Sequence, residues 1–281
     1  MSDRIKIVVD SSADTLELEG VPFACAPLRI LTAEKEYVDD ATLDVAEMAE
    51  ELSRYNGKSS TACPGVGDWL AAFGEAERVV CVTITSNLSG SYNAACIAKQ
   101  DYEELHPGRQ VCVVDSLSAG PELRLMLEKL REDILAGLDF AGVCAAIREY
   151  AKTTRLLFML ESMRNLANNG RVSPLVARAA GLLGIRAVGK ASDRGTLELL
   201  HKCRGEQKAL EAIVESMHRL GFAGGRVRVS HCGNPGAADK LREMIVRRFG
   251  PCSCRIYPAR GLCSFYAEQG GLLVGFEGCA L

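Results

Sequence analysis

The chain has 281 residues, 48% hydrophobic and 6% aromatic, with a formal net charge of −3. That length exceeds one compact core and predicts two domains of about 130–150 residues; the missing basic excess argues against a nucleic-acid partner. No run reaches the roughly eighteen apolar residues of a membrane helix, and Met1-Ser2-Asp3-Arg4 leads straight into a strand rather than a signal peptide, so a cytoplasmic protein with no membrane span is expected.

Ile5-Lys6-Ile7-Val8-Val9-Asp10 reads as a buried strand that ends in the hydroxyl-rich turn Asp10-Ser11-Ser12-Ala13-Asp14. A helix follows, capped by Thr42, with Leu43, Ala46, Ala49 and Leu52 as its apolar stripe, and it stops at Asn56-Gly57. The loop 58–68 then runs into a helix carrying Trp69, the only tryptophan. Its Gly65-Val66-Gly67 is no dinucleotide fingerprint, because Leu70 stands where the third glycine belongs.

The run Val79-Val80-Cys81-Val82-Thr83-Ile84 is a second buried strand. It empties through Thr85-Ser86-Asn87-Leu88-Ser89-Gly90-Ser91 into a helix over 92–100. A helix start of this kind is an anion site, since its first N–H groups lack intrahelical partners and carry the positive end of the peptide dipole. The same serines also serve as a plain helix cap, worth about 1 kcal/mol. Val111-Cys112-Val113-Val114-Asp115-Ser116 repeats the pattern before a helix over 123–135. Successive parallel strands ending in Ser/Asp turns converge on one crevice at their carboxyl ends, where Asp10 and Asp115 are also formal acid/base candidates.

A helix over 144–154 closes the first half, and Thr153-Thr154-Arg155 marks the boundary, giving domains 1–154 and 155–281. In the second half, 226–231, 254–257 and 271–276 read as strands and 237–248 as an amphipathic helix. The fold class is α/β with two α/β domains: a mostly parallel, doubly wound sheet first and a mixed sheet second. Of the four histidines only His231 ends a strand in the way the polar turns do. The twelve cysteines sit mainly in Val-, Ala- and Ile-rich runs, such as Cys81, Cys96, Cys112 and Cys144, where cysteine behaves as a small hydrophobe. The tight pair Cys252-Ser253-Cys254, with Cys232 or Cys263, is the one alternative metal or redox grouping, but its spacing is not that of a zinc hairpin.

Three segments resemble the DegV family of bacterial fatty-acid-binding proteins: Asp10-Ser11-Ser12-Ala13-Asp14, Thr61-Ala62-Cys63-Pro64-Gly65-Val66-Gly67 and Ser86-Asn87-Leu88-Ser89-Gly90-Ser91-Tyr92. The stretch Leu166-Ala167-Asn168-Asn169-Gly170-Arg171-Val172-Ser173 is similar to the family's Gly-Gly-Arg segment, with Asn169 for its first glycine. Leu182-Leu183-Gly184 and His231-Cys232-Gly233-Asn234-Pro235 continue the family order. One departure is large: family members commonly carry a histidine near the end that helps hold the ligand carboxylate, and here Ala267 stands near that position, with Tyr266 as the substitute donor.

The resemblance implies a carrier for a long-chain fatty acid such as palmitate. Thr61 and Ser89 would hold the carboxylate, with Gly90, Ser91, Ser11 and Tyr266 around it, and a tunnel shared with the second domain would bury the acyl chain. It further implies a fatty-acid kinase as a partner, with Arg171 at that contact, and hydroxyls rather than cations at the head group. Neither a cofactor, a metal nor a catalytic residue is expected. The alternative, a small-molecule hydrolase using Ser89, lacks the first glycine of a nucleophile elbow and has no histidine tied to it by sequence.

Overall fold

The computed structural model describes residues 5–174 and 184–278; Met1-Ser2-Asp3-Arg4, Leu182, Leu183 and Cys279 lie outside the described residues. Strands β1 (Ile5–Asp10), β2 (Phe23–Ala26), β6 (Arg78–Thr83) and β7 (Gln110–Asp115) form a parallel sheet in the order β2-β1-β6-β7. Both faces are covered, which is why these strands read as unbroken apolar runs. Val8, Val79 and Cys81 pack against helices α2 (Val66–Phe73) and α3 (Ser91–Leu105). Ile7, Val9, Val80 and Val82 pack against α4 (Pro121–Leu135) and α5 (Phe140–Ala151).

Two details of the first half differ from the sequence reading. Helix α1 (Val45–Arg54) is capped by Asp44, whose carboxylate accepts from the N–H groups of Ala46 and Glu47, while the Thr42 hydroxyl donates to Asp40. Its buried stripe is Val45, Met48 and Leu52; Ala46 and Ala49 face outward. A small antiparallel sheet, β4-β3-β5, also emerges from β3 (Arg29–Leu31), β4 (Glu36–Val38) and β5 (Ser60–Ala62). Three-residue strands are too short for alternation to show in sequence.

The second sheet runs β10-β9-β8-β13-β11-β12 and is mixed; its only parallel neighbours are β11 (Arg226–His231) and β12 (Ser253–Pro258). The other strands are β8 (Thr154–Leu160), β9 (Ile185–Ala191), β10 (Leu197–Arg204) and β13 (Leu272–Glu277). Along β8 the two-residue period sorts the side chains. Leu157 and Met159 enter the core under helices α7 (Glu206–Arg219) and α8 (Pro235–Phe249), and Leu156, Phe158 and Leu160 point the other way. The parallel sheet is built wholly before residue 154 and the mixed sheet begins at Thr154.

Helices α4 and α9 (Gly261–Ala267) both join the halves. Helix α4 crosses β8, β11 and β13. There Arg228 makes a two-pronged ion pair with Glu128, 2.8 and 2.5 Å, with Arg228 only 2% exposed. The helix start comes so close to β13 that a Cβ on Gly275 would lie 2.5 Å from the Glu122 nitrogen, so this position admits only glycine. The Glu122 carboxylate accepts from Ser118 Oγ at 2.5 Å and Thr154 Oγ1 at 2.7 Å, tying α4 to β8. Burial pushes its carboxyl up to about 7.

The second joint is helix α9 (Gly261–Ala267), which belongs to the second half and is held by carboxylates of the first. Asp39 accepts from Gly261 N at 3.0 Å and Leu262 N at 2.9 Å, and Asp14 accepts from Arg260 N at 2.8 Å. Arg260 in turn donates to the Asp40 carbonyl. The other end is fixed by the short helix α6 (Arg164–Asn168): Asn165 Nδ2 donates to Phe265 O at 2.8 Å, and Asn165 N donates to Glu268 Oε1 at 3.0 Å.

Two outcomes follow for stability. Because the folded carboxyl of Glu122 titrates above its unfolded value, its contribution is fully present below about 4.5 and is lost as pH rises through about 7. Relative to Glu122→Gln, the wild type should therefore lose about 3 kcal/mol between pH 4.5 and 8; thermal melts of both proteins across that range measure the difference, and parallel curves would refute it. Asp39→Asn removes one acceptor under the start of α9 and should destabilise by about 1–3 kcal/mol, read by denaturant titration.

Candidate functional site

Between the inner face of the mixed sheet and the loops of the first half lies an apolar cavity of about 320 Å3. Leu156, Phe158 and Leu160 of β8, Leu197 of β10 and Leu273 of β13 form its floor. Leu28, Ile84, Leu262 and Leu166 come from the surrounding loops and helices. Its polar lining is small and gathered from four separate segments: Thr61 on β5, Ser89 and Gly90 before α3, Tyr266 on α9 and Arg171 after α6.

The geometry there follows from local structure. Thr61 sits at the centre of β5, and its Oγ1 lies 2.7 Å from the Tyr266 hydroxyl, so the last helix and the small sheet meet at one pair of hydroxyls. Burial pushes the Tyr266 phenol above its ordinary value. Ser89 Oγ accepts from Ser91 N at 3.3 Å, and Gly90 is the N-cap of α3. A Cβ on Gly90 would approach Cys63 Sγ to 3.2 Å, so the two polar loops touch here and a side chain would push them apart.

Two serines expected at this site are placed elsewhere. Ser91 is fully buried and its hydroxyl donates to Asp10 Oδ2 at 2.6 Å; Ser11 is also fully buried and its Oγ accepts from Leu28 N at 3.0 Å. Neither lines the cavity. Ser91 is taken by Asp10, which also accepts from Ile84 N, Ser12 N and Ser12 Oγ and lashes the ends of β1 and β6 together, whereas Ser11 is taken by Leu28 N. Asp115 likewise accepts from Ser86 N and Leu117 N. Both acid/base candidates are thus turn-builders, and the polar turns of the parallel sheet are consumed largely in holding their own shape.

Arg171, expected at the contact with a kinase, lines the cavity. Its Nε donates to Leu88 O at 3.1 Å and Nη1 to Asn169 O at 2.5 Å, so two backbone carbonyls fix the guanidinium beside the Ser89 turn. Ala267 lines the cavity as well, one residue from Tyr266. No sequence signal pointed to Leu28, Leu197 or Leu273 as lining residues, because their sharing of a wall depends on how the two sheets face each other.

His231 lies apart, in a wider cleft of about 740 Å3 between α1, α6 and the ends of β11 and β12, on the Phe265 side of α9. Burial lowers its imidazole below the ordinary value. Cys232 and Cys263 are buried near Asp14, and burial pushes the Cys232 thiol up to about 12. Among the described residues no three His, Cys, Asp or Glu side chains gather as a metal site, no imidazole hydrogen-bonds Ser89, and no helix is long and apolar enough to cross a membrane.

Comparison with known proteins places this geometry. A DegV domain-containing protein of Streptococcus pneumoniae is 45% identical over 276 residues, covering 97% of this chain and 98% of its own. A DegV family protein from Eubacterium eligens, solved loaded with heptadecanoic acid, superposes with a TM-score of 0.96 at 43% identity and covers 98% of this chain and 100% of its own. The Fatty Acid Kinase (Fak) B3 protein of S. pneumoniae, solved loaded with linoleic acid, gives a TM-score of 0.96 at 44% identity, covering 98% and 99%. The profile of the DegV family, described as uncharacterised proteins, matches residues 4–277, and with that match over nearly its whole length the chain belongs to the DegV family.

Proposed function

We propose that this protein is a carrier that binds one long-chain fatty acid in the cavity and presents its carboxylate to a fatty-acid kinase. The observation that carries the reading is an apolar chamber whose few polar groups, Thr61, Ser89, Tyr266 and Arg171, come from four segments distant in sequence. The homologues solved with heptadecanoic and linoleic acid support it.

The physics follows from the two ends of the ligand. Burying about fourteen methylenes at about 0.8 kcal/mol each contributes about 11 kcal/mol gross, reduced by the several kcal/mol needed to immobilise a flexible chain. The carboxylate loses water on entry, so each oxygen needs a charge-assisted hydrogen bond. Thr61 Oγ1, Ser89 Oγ and Tyr266 OH supply neutral donors, and Arg171 supplies the charge that keeps the acid ionised. Because Arg171 is already held by two carbonyls, its pairing with the ligand is looser than a free two-pronged clamp, which leaves an oxygen lone pair for phosphoryl transfer. The side that carries Ser89, Gly90 and Arg171 is where the kinase would reach the acid. Ser89 acts as a hydrogen-bond donor to the ligand and not as a nucleophile, having no base beside it.

Three outcomes test the proposal. Protein purified from a bacterial host should release one equivalent of long-chain fatty acid into a denaturing extract; an empty extract, together with no binding of added palmitate, would overturn it. Ser89→Ala should weaken palmitate binding by 1–3 kcal/mol, roughly 5- to 150-fold, while changing the affinity for the matching long-chain alcohol much less. Tyr266→Phe should weaken the acid in the same direction, and in a double-mutant cycle with Thr61→Val the two losses should add to less than their sum, since the hydroxyls are partners.

A further inference from the structure

Of helix α6 only Leu166 lines the cavity, yet the polar groups that do line it are tied to this one short helix. The ties run through two asparagines one turn apart, Asn165 and Asn169, which therefore share a face. Asn165 Nδ2 donates at 2.8 Å to the carbonyl of Phe265, the residue before Tyr266. Asn169 Nδ2 donates to Asn165 O at 2.9 Å and to Ser59 O at 3.3 Å, two residues before Thr61. Because Thr61 Oγ1 and Tyr266 OH meet at 2.7 Å, these bonds close a ring: from Thr61 to Tyr266, through α9 to Asn165, along α6 to Asn169, and across to β5. Arg171 hangs from the same point. Its backbone N–H donates to Leu166 O at 2.8 Å, and its guanidinium donates to Asn169 O and, at 3.1 Å, to the carbonyl of Leu88, the neighbour of Ser89.

We propose that the Asn169 side chain is a positioning residue for the ligand head group, which together with Asn165 fixes the Thr61 and Tyr266 hydroxyls relative to the Arg171 guanidinium. The proposal rests on the carrier reading and adds to it the element that holds the separate polar segments in register. At Asn169 the backbone is ordinary, with φ −99°, and the left-handed turn after α6 falls on Gly170, with φ 72°. Position 169 thus needs neither glycine nor asparagine for its backbone, and what asparagine adds over the first glycine of a Gly-Gly-Arg segment is an amide with two N–H donors. One of them, on Asn165 O, helps to end the helix. The other crosses to Ser59, 110 positions away in sequence, and has no part in ending it.

The consequence is a head-group site set before the ligand arrives. Strand β5 has three residues and pairs with β3 alone among the described strands, so the bond from Asn169 fastens it to α6. A hydroxyl already in place costs less to order when a carboxylate binds. Without the Asn169 amide, Thr61 and its Tyr266 partner are free to shift against Arg171, and the two carboxylate oxygens lose simultaneous contact with both. The apolar walls, such as Leu156, Phe158 and Leu273, take no part in the ring, so a ligand with the same hydrocarbon and no carboxylate should scarcely register the change.

The test compares palmitate with hexadecanol on delipidated, full-length wild type, Asn169→Gly and Asn169→Ala. Both variants should weaken palmitate binding about fivefold or more and hexadecanol binding less than about twofold. In a Thr61→Val background, Asn169→Gly should change palmitate affinity less than about twofold, since the hydroxyl it positions is gone. Equal losses for acid and alcohol, as a purely structural role or a damaged fold would give, would overturn the proposal. So would wild-type palmitate affinity in both variants, or full additivity with Thr61→Val. A wild-type protein that binds neither ligand would instead remove the carrier reading itself, and this assignment with it.

Discussion

The arrangement depends above all on two buried carboxylates of the first half that accept the backbone N–H groups at the start of the last helix. Asp39 takes Gly261 N and Leu262 N, and Asp14 takes Arg260 N. Burying carboxylates in this way is costly unless their oxygens are satisfied, and here the first free amides of a helix meet both oxygens of Asp39 and Oδ1 of Asp14. A Cβ on Gly261 would lie 2.8 Å from the Asp39 side chain, so the approach needs a glycine. Through this contact a helix that belongs to the second domain becomes a wall of the first, and Tyr266 is delivered to Thr61.

The same economy of polar groups runs through the whole molecule. Asp10 and Asp115 look like chemistry in sequence, but in the fold each collects backbone and hydroxyl donors from its neighbouring turn. What remains for a ligand is the short set of groups these networks leave free: two hydroxyls meeting at 2.7 Å, one serine at a helix start and one arginine fixed by carbonyls. A large apolar volume beside so few donors suits a ligand that is mostly hydrocarbon with a single charged end. Burial pushes the carboxyls of Glu122 and Asp14 up to about 7 and about 6, so the contacts between the halves are sensitive to pH near neutrality.

Much of the scaffold was legible from local pattern. The strands at 5–10, 78–83 and 110–115, and the helices after them, lie within a residue or two of their expected limits over most ends, because fully buried parallel strands and capped helices write themselves as apolar runs and polar turns. The misreadings have local causes too. Thr42 and Asp44 are both good caps, and only the position of the buried Met48 decides between them. The strands of the small sheet carry too few residues for any period to register.

By itself, the chain determined its class and the presence of Ser89 in a polar turn after an apolar strand, since these are matters of composition and spacing along one dimension, and its segments carried the family resemblance. Tertiary structure alone decided which hydroxyls are available. Ser11, Ser89 and Ser91 are alike as residues in turns, yet Ser11 and Ser91 are spent inside the protein and Ser89 faces the cavity. It also decided that Arg171 points inward and that Leu28, Phe158 and Leu273 share one chamber. The reason is physical: a hydrogen bond or an apolar contact between residues a hundred or more positions apart leaves no periodic trace in either segment, and exists only once the two sheets have packed face to face.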